Sequence, residues 1–420
     1  MLKLLTDQNS REEDLVSLSL DEIARLGAKK LLTQALALEV NEYIERSSAF
    51  RDDDGLRQVV RNGHSKERKI TTGSGTIAVR APRVNDRRVG HNFCSRILPP
   101  YLRKSANVES ILPVLYLKGL SGNAFGDALS GLLGDDAGGL SASSISALKK
   151  QWYEELDAWR QRSIDEHYVY LWADGVNIKI RIGEDKKLCL LVIVGVTAEG
   201  KKQVLAVESG YRESSQAWSM VFRDLFARGL KAPLLIIGDG ALGLWSAVDE
   251  LPELAATRSQ RCWVHKIANV LDKLPKRLQP KAKQLLHDMM NAETRDDAEQ
   301  SRQTFAANFD DKYPKAVKSL NEGWEELVTF FDFPAQHWLH IRTTNPIESA
   351  FATVKLRTKA TKGSGSPQMA EAMALKLLLE AQKRWNKIRG LEHLRIMLQG
   401  GIYRDGELVE THRTRLAAQA

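Results

Sequence analysis

The run Val169-Tyr170-Leu171-Trp172-Ala173 stops at Asp174-Gly175, and farther on Leu234-Leu235-Ile236-Ile237 runs through Gly238 into Asp239-Gly240. Both are short apolar runs bounded by polar, glycine-containing pairs, the pattern of buried strands. Between them Val176 to Arg181, Leu188 to Val196 and Val204 to Val207 read as strands joined by short turns. Ser215 to Arg228 follows as a helix with Trp218, Val221, Phe222 and Leu225 on one face. A meander, a helix and a further strand ending in a carboxylate therefore form the middle of the chain.

That order predicts an α/β, ribonuclease-H-like (retroviral-integrase-like) core over 163–272 and 333–400. Asp174 and Asp239 are expected where strands end, at the sheet rim beside the usual ligand crevice. The glycine after each lets the backbone turn away and leaves the carboxylate accessible. Lys273 to Asp332 has helical spacing and no strand signal, so 273–332 is read as an all-helical insertion. Thr343-Thr344-Asn345-Pro346 then starts a helix, with Asn345 as cap, Pro346 at the first helical position and Glu348 close behind. A helix from about Pro367 to Ile388 is expected to end the ordered chain before a polar tail, 401–420. Asp249, Asp310 and Asp311 are assigned to solvated positions.

Toward the N-terminus, Leu15, Leu18, Ile23, Leu26, Leu31, Leu32, Leu36, Val40, Tyr43 and Ile44 recur at helical spacing between Glu13 and Arg46. This predicts a helical region over 1–50 whose apolar stripe either caps the domain core or dimerises. Arg51 to Arg68 reads as turn or linker. Lys69 to Thr72, a Gly73-Ser74-Gly75 turn and Thr76 to Arg80 read as a hairpin stopped by Pro82, within a basic segment, 51–105, that carries Arg61, Lys66, Arg68, Arg80, Arg83, Arg87 and Arg88. Over 106–162 the order is helix, Gly119-Leu120-Ser121-Gly122 turn, helix, glycine-rich break, then a hydroxyl-rich helix start at Ser141 to Ser146 with Lys149 and Lys150 behind it. This suits a helix-turn-helix DNA reader or three helices that only pack together.

Lys and Arg number 61 against 53 Asp and Glu, a net charge of +8 that favours a polyanionic partner without naming it. Cys94, Cys189 and Cys262 are odd in number and unrelated in context, which argues against a disulfide framework and for a reducing cytosol. Acidic residues from Asp7 onward do not resemble a signal peptide, and the longest apolar runs are half a membrane span. A cytoplasmic protein without a membrane role is expected.

Three carboxylates at one rim have a chemical rationale. Two Mg²⁺ ions roughly 3.5–4 Å apart clamp the attacking and leaving oxygens of a phosphoryl displacement, and hard cations require anionic oxygen ligands. Without metal such acids repel one another and raise each other's pKa.

The resemblance that bears on this spans most of the chain. Arg61-Asn62-Gly63-His64 through Arg68, with Thr71, Gly73 and Ala81-Pro82-Arg83, is followed by Tyr116 to Ser121, Ser144-Ile145-Ser146, Trp172 to Gly175, Glu213-Ser214 with Trp218, and Ile237 to Gly240 with Gly243-Leu244. Gln260-Arg261-Cys262-Trp263-Val264-His265-Lys266 with Asn269, and Arg342-Thr343-Thr344-Asn345-Pro346-Ile347-Glu348-Ser349, complete the series. In this order the words resemble a Mutator-type bacterial insertion-sequence transposase, one of the DDE transposases. Two departures are visible: Val176-Asn177 stands where many relatives carry an aromatic, and Gly131 to Gly139 is longer than the usual turn.

The resemblance implies Asp174, Asp239 and Glu348 as catalytic metal ligands for two Mg²⁺, with Mn²⁺ able to substitute. It implies cleavage at terminal inverted repeats and strand transfer into target DNA, with double-stranded DNA as partner, a homodimer, and association with the nucleoid in action. A nuclease of the same fold that does not join strands, and a transposase-derived DNA-binding protein, are the competing readings. Cys262 and His265 have zinc spacing but no second pair nearby; His265, on a strand beside the rim, either positions phosphate or supports a metal ligand, or is a buried structural residue, and Cys262 reads as core. Arg342, Lys355, Arg357, Lys359 and Lys362 flank the third acid, either as phosphate contacts or as a solvated face. Trp172, Trp263, Trp324 and Trp338 read as core, with stacking on an unpaired base as the alternative.

Overall fold

The structure is a computed structural model. It describes residues 18–105, scattered positions between 107 and 133, 142–181, 187–210, 213–360 and 362–410. The chain divides into two units, 1–148 and 149–420.

In the first unit, α1 (Leu20–Arg46) opens on a capping box in which Ser19 Oγ accepts from Glu22 N and Glu22 Oε2 accepts from Ser19 N at 2.8 Å. Four strands follow: β1 (Val59–His64), β2 (Arg68–Thr72), β3 (Gly75–Val79) and β4 (Pro82–Asp86), paired antiparallel as β1 with β4 and β2 with β3. The stretch read as linker thus contains a strand. β3 ends at Val79, ahead of Pro82 as expected, and Pro82 itself begins β4, a position where its missing N–H breaks no ladder. The second pair encloses the expected turn, and Gly75 adopts φ +103° there. Leu36 of α1 packs with Ile70, Ile77, Val79 and Leu98. Other apolar positions of α1 stay open, with Leu20, Leu31 and Leu38 at 82%, 65% and 68% exposure. Most of the expected helix-turn-helix lies outside the described residues; α2 (Ala142–Arg160) starts within the hydroxyl-rich stretch expected to open a helix.

The second unit is built on one mixed sheet. Its strands are β5 (Tyr168–Lys179), β6 (Lys187–Thr197), β7 (Lys202–Gly210), then, after α3 (Ser215–Ala227), β8 (Leu235–Gly238), and, after α4 (Leu242–Glu250), β9 (Arg258–Arg261). The order across the sheet is β7-β6-β5-β8-β9, antiparallel through β5 and parallel from β5 to β8 to β9. Alternation along β5 separates its two faces. Leu171 and Ala173 join Leu191, Ile193, Trp218, Phe222, Leu244 and Ala247 under α3 and α4. Tyr170 and Trp172 point the other way, toward the helices that come later in the chain.

Asp174 does not end its strand. β6 is apolar from Leu188 to Val196 and offers partners from Tyr168 through Lys179, so Asp174 pairs with Val192 and Gly175 with Leu191 in a continuous ladder. No turn forms at Asp174-Gly175.

After α5 (Trp263–Leu271) the expected insertion is helical: α6 (Gln279–Met290), α7 (Arg295–Phe309), α8 (Pro314–Asn321), α9 (Trp324–Val328) and a 3₁₀ turn over 329–332. Lys266 is buried, and its Nζ donates to the Ser319 carbonyl at 2.7 Å and to that of Glu322, closing the end of α8. Burial pulls this amine down to about 8. Lys266→Met is expected to cost about 2 kcal/mol in urea unfolding, because two carbonyls at the end of α8 lose a charged donor.

The chain continues with α10 (Ala335–Ile341), α11 (Asn345–Ala360), α12 (Pro367–Gln382), α13 (Leu391–Leu398) and a hairpin of β10 (Ile402–Arg404) and β11 (Glu407–Glu410). The expected polar tail is therefore structured through Glu410. Asp405 and Gly406 both have positive φ, and Gly406 exchanges backbone bonds with Phe331 and Ala335. Positions 411–420 lie outside the described residues.

Tyr170 ties β5 to this C-terminal layer. His337 Nε2 donates to the Gly390 carbonyl at 2.9 Å, leaving Nδ1 to accept from the Tyr170 hydroxyl at 2.6 Å, so the imidazole is neutral. Burial pushes His337 down to about 4. Below about pH 6.5 the unfolded histidine takes a proton that the folded one refuses, so its contribution to stability is lost as pH falls from there toward 4. By about pH 5 the expected loss is about 2 kcal/mol, read from urea unfolding beside His337→Asn, in which this part of the slope should vanish.

Candidate active site

β5 and β8 run parallel with Ala173 opposite Gly238, so the next residues, Asp174 and Asp239, stand side by side. β9 lies beyond β8 with Arg261 opposite Gly238. Cys262 follows at once, and its N–H donates to the Gly238 carbonyl at 2.7 Å. Three adjacent strands thus deliver Asp174, Asp239 and Cys262 to one region. Asp174 Oδ1 accepts from Gly175 N and Asp239 Oδ1 from Ala241 N, both at 2.8 Å.

Cys262 caps α5, whose first turn carries His265, so this histidine is helical and not strand-borne as expected. The Trp263 N–H donates to the Arg342 carbonyl at 3.0 Å, which draws the segment before α11 against the start of α5. Thr344, fully buried, is the residue whose carbonyl receives the Ile347 and Glu348 N–H groups. It holds the capping position; Asn345, read as the cap, is the exposed first residue of α11. The Thr344 hydroxyl reaches Cys262 Sγ at 3.2 Å, His265 Nδ1 at 3.4 Å and Glu348 Oε1. Glu348 Oε1 is 3.8 Å from His265 Nδ1.

Electrostatics link the two halves of the site. Asp174 is 9% exposed, and burial together with the charge of Asp239 pushes its carboxyl up to about 7 against the Gly175 N–H and His265; Glu348 raises it further. His265 is raised to about 9, first by its hydrogen bond with Cys262 and then by the charges of Cys262, Glu348 and Asp174, with burial opposing. A buried carboxylate beside a second and within the field of a third fits a hard divalent cation, which reverses the repulsion that otherwise favours the protonated acid.

A fourth carboxylate went unread. A Cβ on Gly175 would sit 2.2 Å from Glu213 Oε1, so the absence of a side chain at 175 leaves room for Glu213. Burial and the charge of Asp239 raise the Glu213 carboxyl, and its own charge helps, after burial, to push the Cys189 thiol up to about 12.

The sequence profile described as "Transposase, Mutator family" matches residues 2–387. The chain belongs to the Mutator family of transposases. It is 47% identical over 304 residues to the transposase for insertion sequence element IS6120 of Mycolicibacterium smegmatis, covering 72% of this chain and 93% of that one. It is also 48% identical over 282 residues to the transposase for insertion sequence element IST2 of Acidithiobacillus ferrooxidans, with 67% and 94% covered.

The other residues singled out in this Mutator-family chain fall into distinct settings. Arg61 and Arg83 are exposed on the first unit, whereas the Arg68 guanidinium donates to the Leu98 and Pro99 carbonyls. Ser144 lies within α2; farther along it Lys149 is half-buried and Lys150 is exposed, 3.8 Å from Glu154. Arg342 donates to the Met290 carbonyl at 2.8 Å, closing α6. Lys355 and Lys359 are exposed on α11, but Arg357 is turned inward at 2% exposure and does not face solvent as a phosphate contact requires. Trp172, Trp263 and Trp324 are buried, and Trp172 and Trp263 donate their indole N–H to the His340 and Leu327 carbonyls, so these three are core. Asp249, Asp310 and Asp311 are exposed as expected. No helix among the described residues is long and apolar enough to cross a membrane.

Proposed function

We propose that this chain is a DNA transposase of the DDE type, which cleaves DNA at the terminal inverted repeats of an insertion sequence and joins the freed ends to target DNA. The observation that carries the reading is the parallel register that sets Asp174 beside Asp239, with Glu348 close enough for its charge to act on Asp174. The sheet order β7-β6-β5-β8-β9, three antiparallel strands followed by two parallel ones, supports a ribonuclease-H-like core around that pair. The printed names of the relatives support an insertion sequence as the substrate.

In this reading Asp174, Asp239 and Glu348 hold two Mg²⁺ ions, or Mn²⁺ in their place. When bound, such ions activate the attacking oxygen and stabilise the leaving one. The chain's own part is to orient the carboxylates: the Gly175 and Ala241 N–H groups each fix one oxygen of Asp174 and Asp239, and the Thr344 hydroxyl engages Glu348. Lys355, Lys359, Arg61 and Arg83 supply exposed cations for the DNA backbone. Two ends must be held at once, so the active form is a homodimer or larger, and the exposed leucines of α1 are its apolar face. The protein works in the cytoplasm, at the nucleoid.

The test is a reaction of purified protein, Mg²⁺ and paired terminal-repeat duplexes with a plasmid target. Joined product is expected. Cleaved ends without joined product would replace this reading with that of a nuclease, and binding without cleavage would replace it with that of a DNA-binding protein.

A further inference from the structure

The Thr344 hydroxyl stands within hydrogen-bond distance of three groups at once: Cys262 Sγ, His265 Nδ1 and Glu348 Oε1. The Thr344 N–H adds one donor, to the sulfur at 3.3 Å. The sulfur, the imidazole nitrogen and the carboxylate oxygen that meet there are each metal-ligating atoms once free of protons. Sulfur, imidazole nitrogen and carboxylate oxygen all lie within 4.8 Å of one another. Tetrahedral zinc, with bonds of roughly 2.0–2.3 Å, sets its ligands about 3.3–3.8 Å apart. The His265–Glu348 separation of 3.8 Å already meets this, and small side-chain movements close the rest. Cys262 is buried, whereas His265 and Glu348 are each about a third exposed, which leaves an open side for a water as fourth ligand.

We propose that Cys262, His265 and Glu348 form a binding site for a thiophilic divalent cation, zinc in the first place, that takes the third acid of the triad as a shared ligand. The donor set decides the class, since sulfur and imidazole favour zinc, whereas magnesium asks for oxygen alone. Binding deprotonates the thiol and releases that proton to the buffer. With Glu348 ligating zinc, the magnesium reaction loses its third carboxylate. That consequence rests on the triad reading; zinc binding itself does not.

The test uses the full-length chain stripped of metal, titrated with Co²⁺ as a spectroscopic substitute and then with Zn²⁺ by calorimetry in the presence of excess Mg²⁺. Binding of one ion per chain is expected, with proton release and an intense near-ultraviolet sulfur-to-cobalt band. Cys262→Ser should abolish the band, and His265→Asn should weaken zinc binding more than about tenfold. Because Cys262 is buried and its replacement can unfold the chain, both variants are checked by circular dichroism, and His265→Asn carries the test if Cys262→Ser does not fold. No band in the wild type, or wild-type affinity in His265→Asn, overturns the site. Zinc that binds without slowing Mg²⁺-dependent cleavage overturns the sharing of Glu348. Asp174→Asn separates the two readings: it should keep the cobalt band, and if it also keeps cleavage, the triad fails while the zinc site stands.

Discussion

Asp174→Asn is expected to lower DNA cleavage by at least about a thousandfold while leaving the binding of terminal-repeat DNA within a few fold of wild type. The substitution is close to isosteric, and the amide oxygen can still accept from the Gly175 N–H now 2.8 Å from Oδ1. It removes a negative charge at the point where Asp239 and Glu348 concentrate theirs. Losing one ligand of a metal pair removes several kcal/mol of transition-state stabilisation, and each 1.36 kcal/mol is tenfold in rate. The fold should not suffer, because the buried charge is itself unfavourable and its removal leaves the thermal midpoint of the metal-free protein unchanged or higher. Glu348→Gln should behave alike. Gel shift and cleavage are measured on the same preparation; if both activities fall together, the acids are structural, and if cleavage persists, they are not ligands.

Gly243→Ala carries the largest expected effect on stability. Gly243 is the second residue of α4, and a Cβ there would lie 1.9 Å from the carbonyl oxygen of Glu213. The obstacle is backbone, so no flexible side chain can yield, and α4 must move away from the segment that leads into α3. A loss of about 3 kcal/mol is expected in urea unfolding, at the upper end of what overpacking usually costs. Cleavage should fall as well, since Glu213 beside Gly175 shifts with its main chain. Gly27→Ala supplies the opposite sign: this helical glycine of α1 has nothing within 4 Å of the added methyl, so the change should stabilise by about 0.5–1 kcal/mol. Equal effects at the two positions would refute the close approach at Gly243.

What was legible in the sequence was set by local pattern. The apolar runs before Asp174 and Asp239 announced buried strands, and the helical insertion followed from its periodicity. Where Asp174 sits along its strand was not legible, because strand length is decided by the partner, and β6 continues past the Asp-Gly pair. Pro82 marked the end of β3 but gave no sign of β4, since a proline excluded from a central strand is acceptable where a strand begins. The C-terminal hairpin was missed because Leu408 and Val409 face outward; the Asp405-Gly406 pair was its one signal.

The site divides along the same line. Glu348 was legible through a resemblance between words and not through any periodicity. Thr344 and Glu213 were not legible, because their roles exist only once strands and helices distant in the chain have met: Thr344 touches Cys262 across 82 positions. Cys262 and His265 offered two ligands in sequence, and only the fold presents the third.

The helical insertion has a further consequence in time. Lys266, Arg342, Gln260 and Trp263 fasten its carbonyls and amides to the sheet edge and to the approach to α11, with Gln260 bonded to Leu327 and Phe330. A ribosome completes β5 and β8 long before it reaches Glu348, whose partner Thr344 meets Cys262 across 82 positions. A nascent or truncated chain therefore carries Asp174 and Asp239 without Glu348. On the proposed triad reading, such a chain is expected to leave DNA uncut until synthesis has passed Glu348.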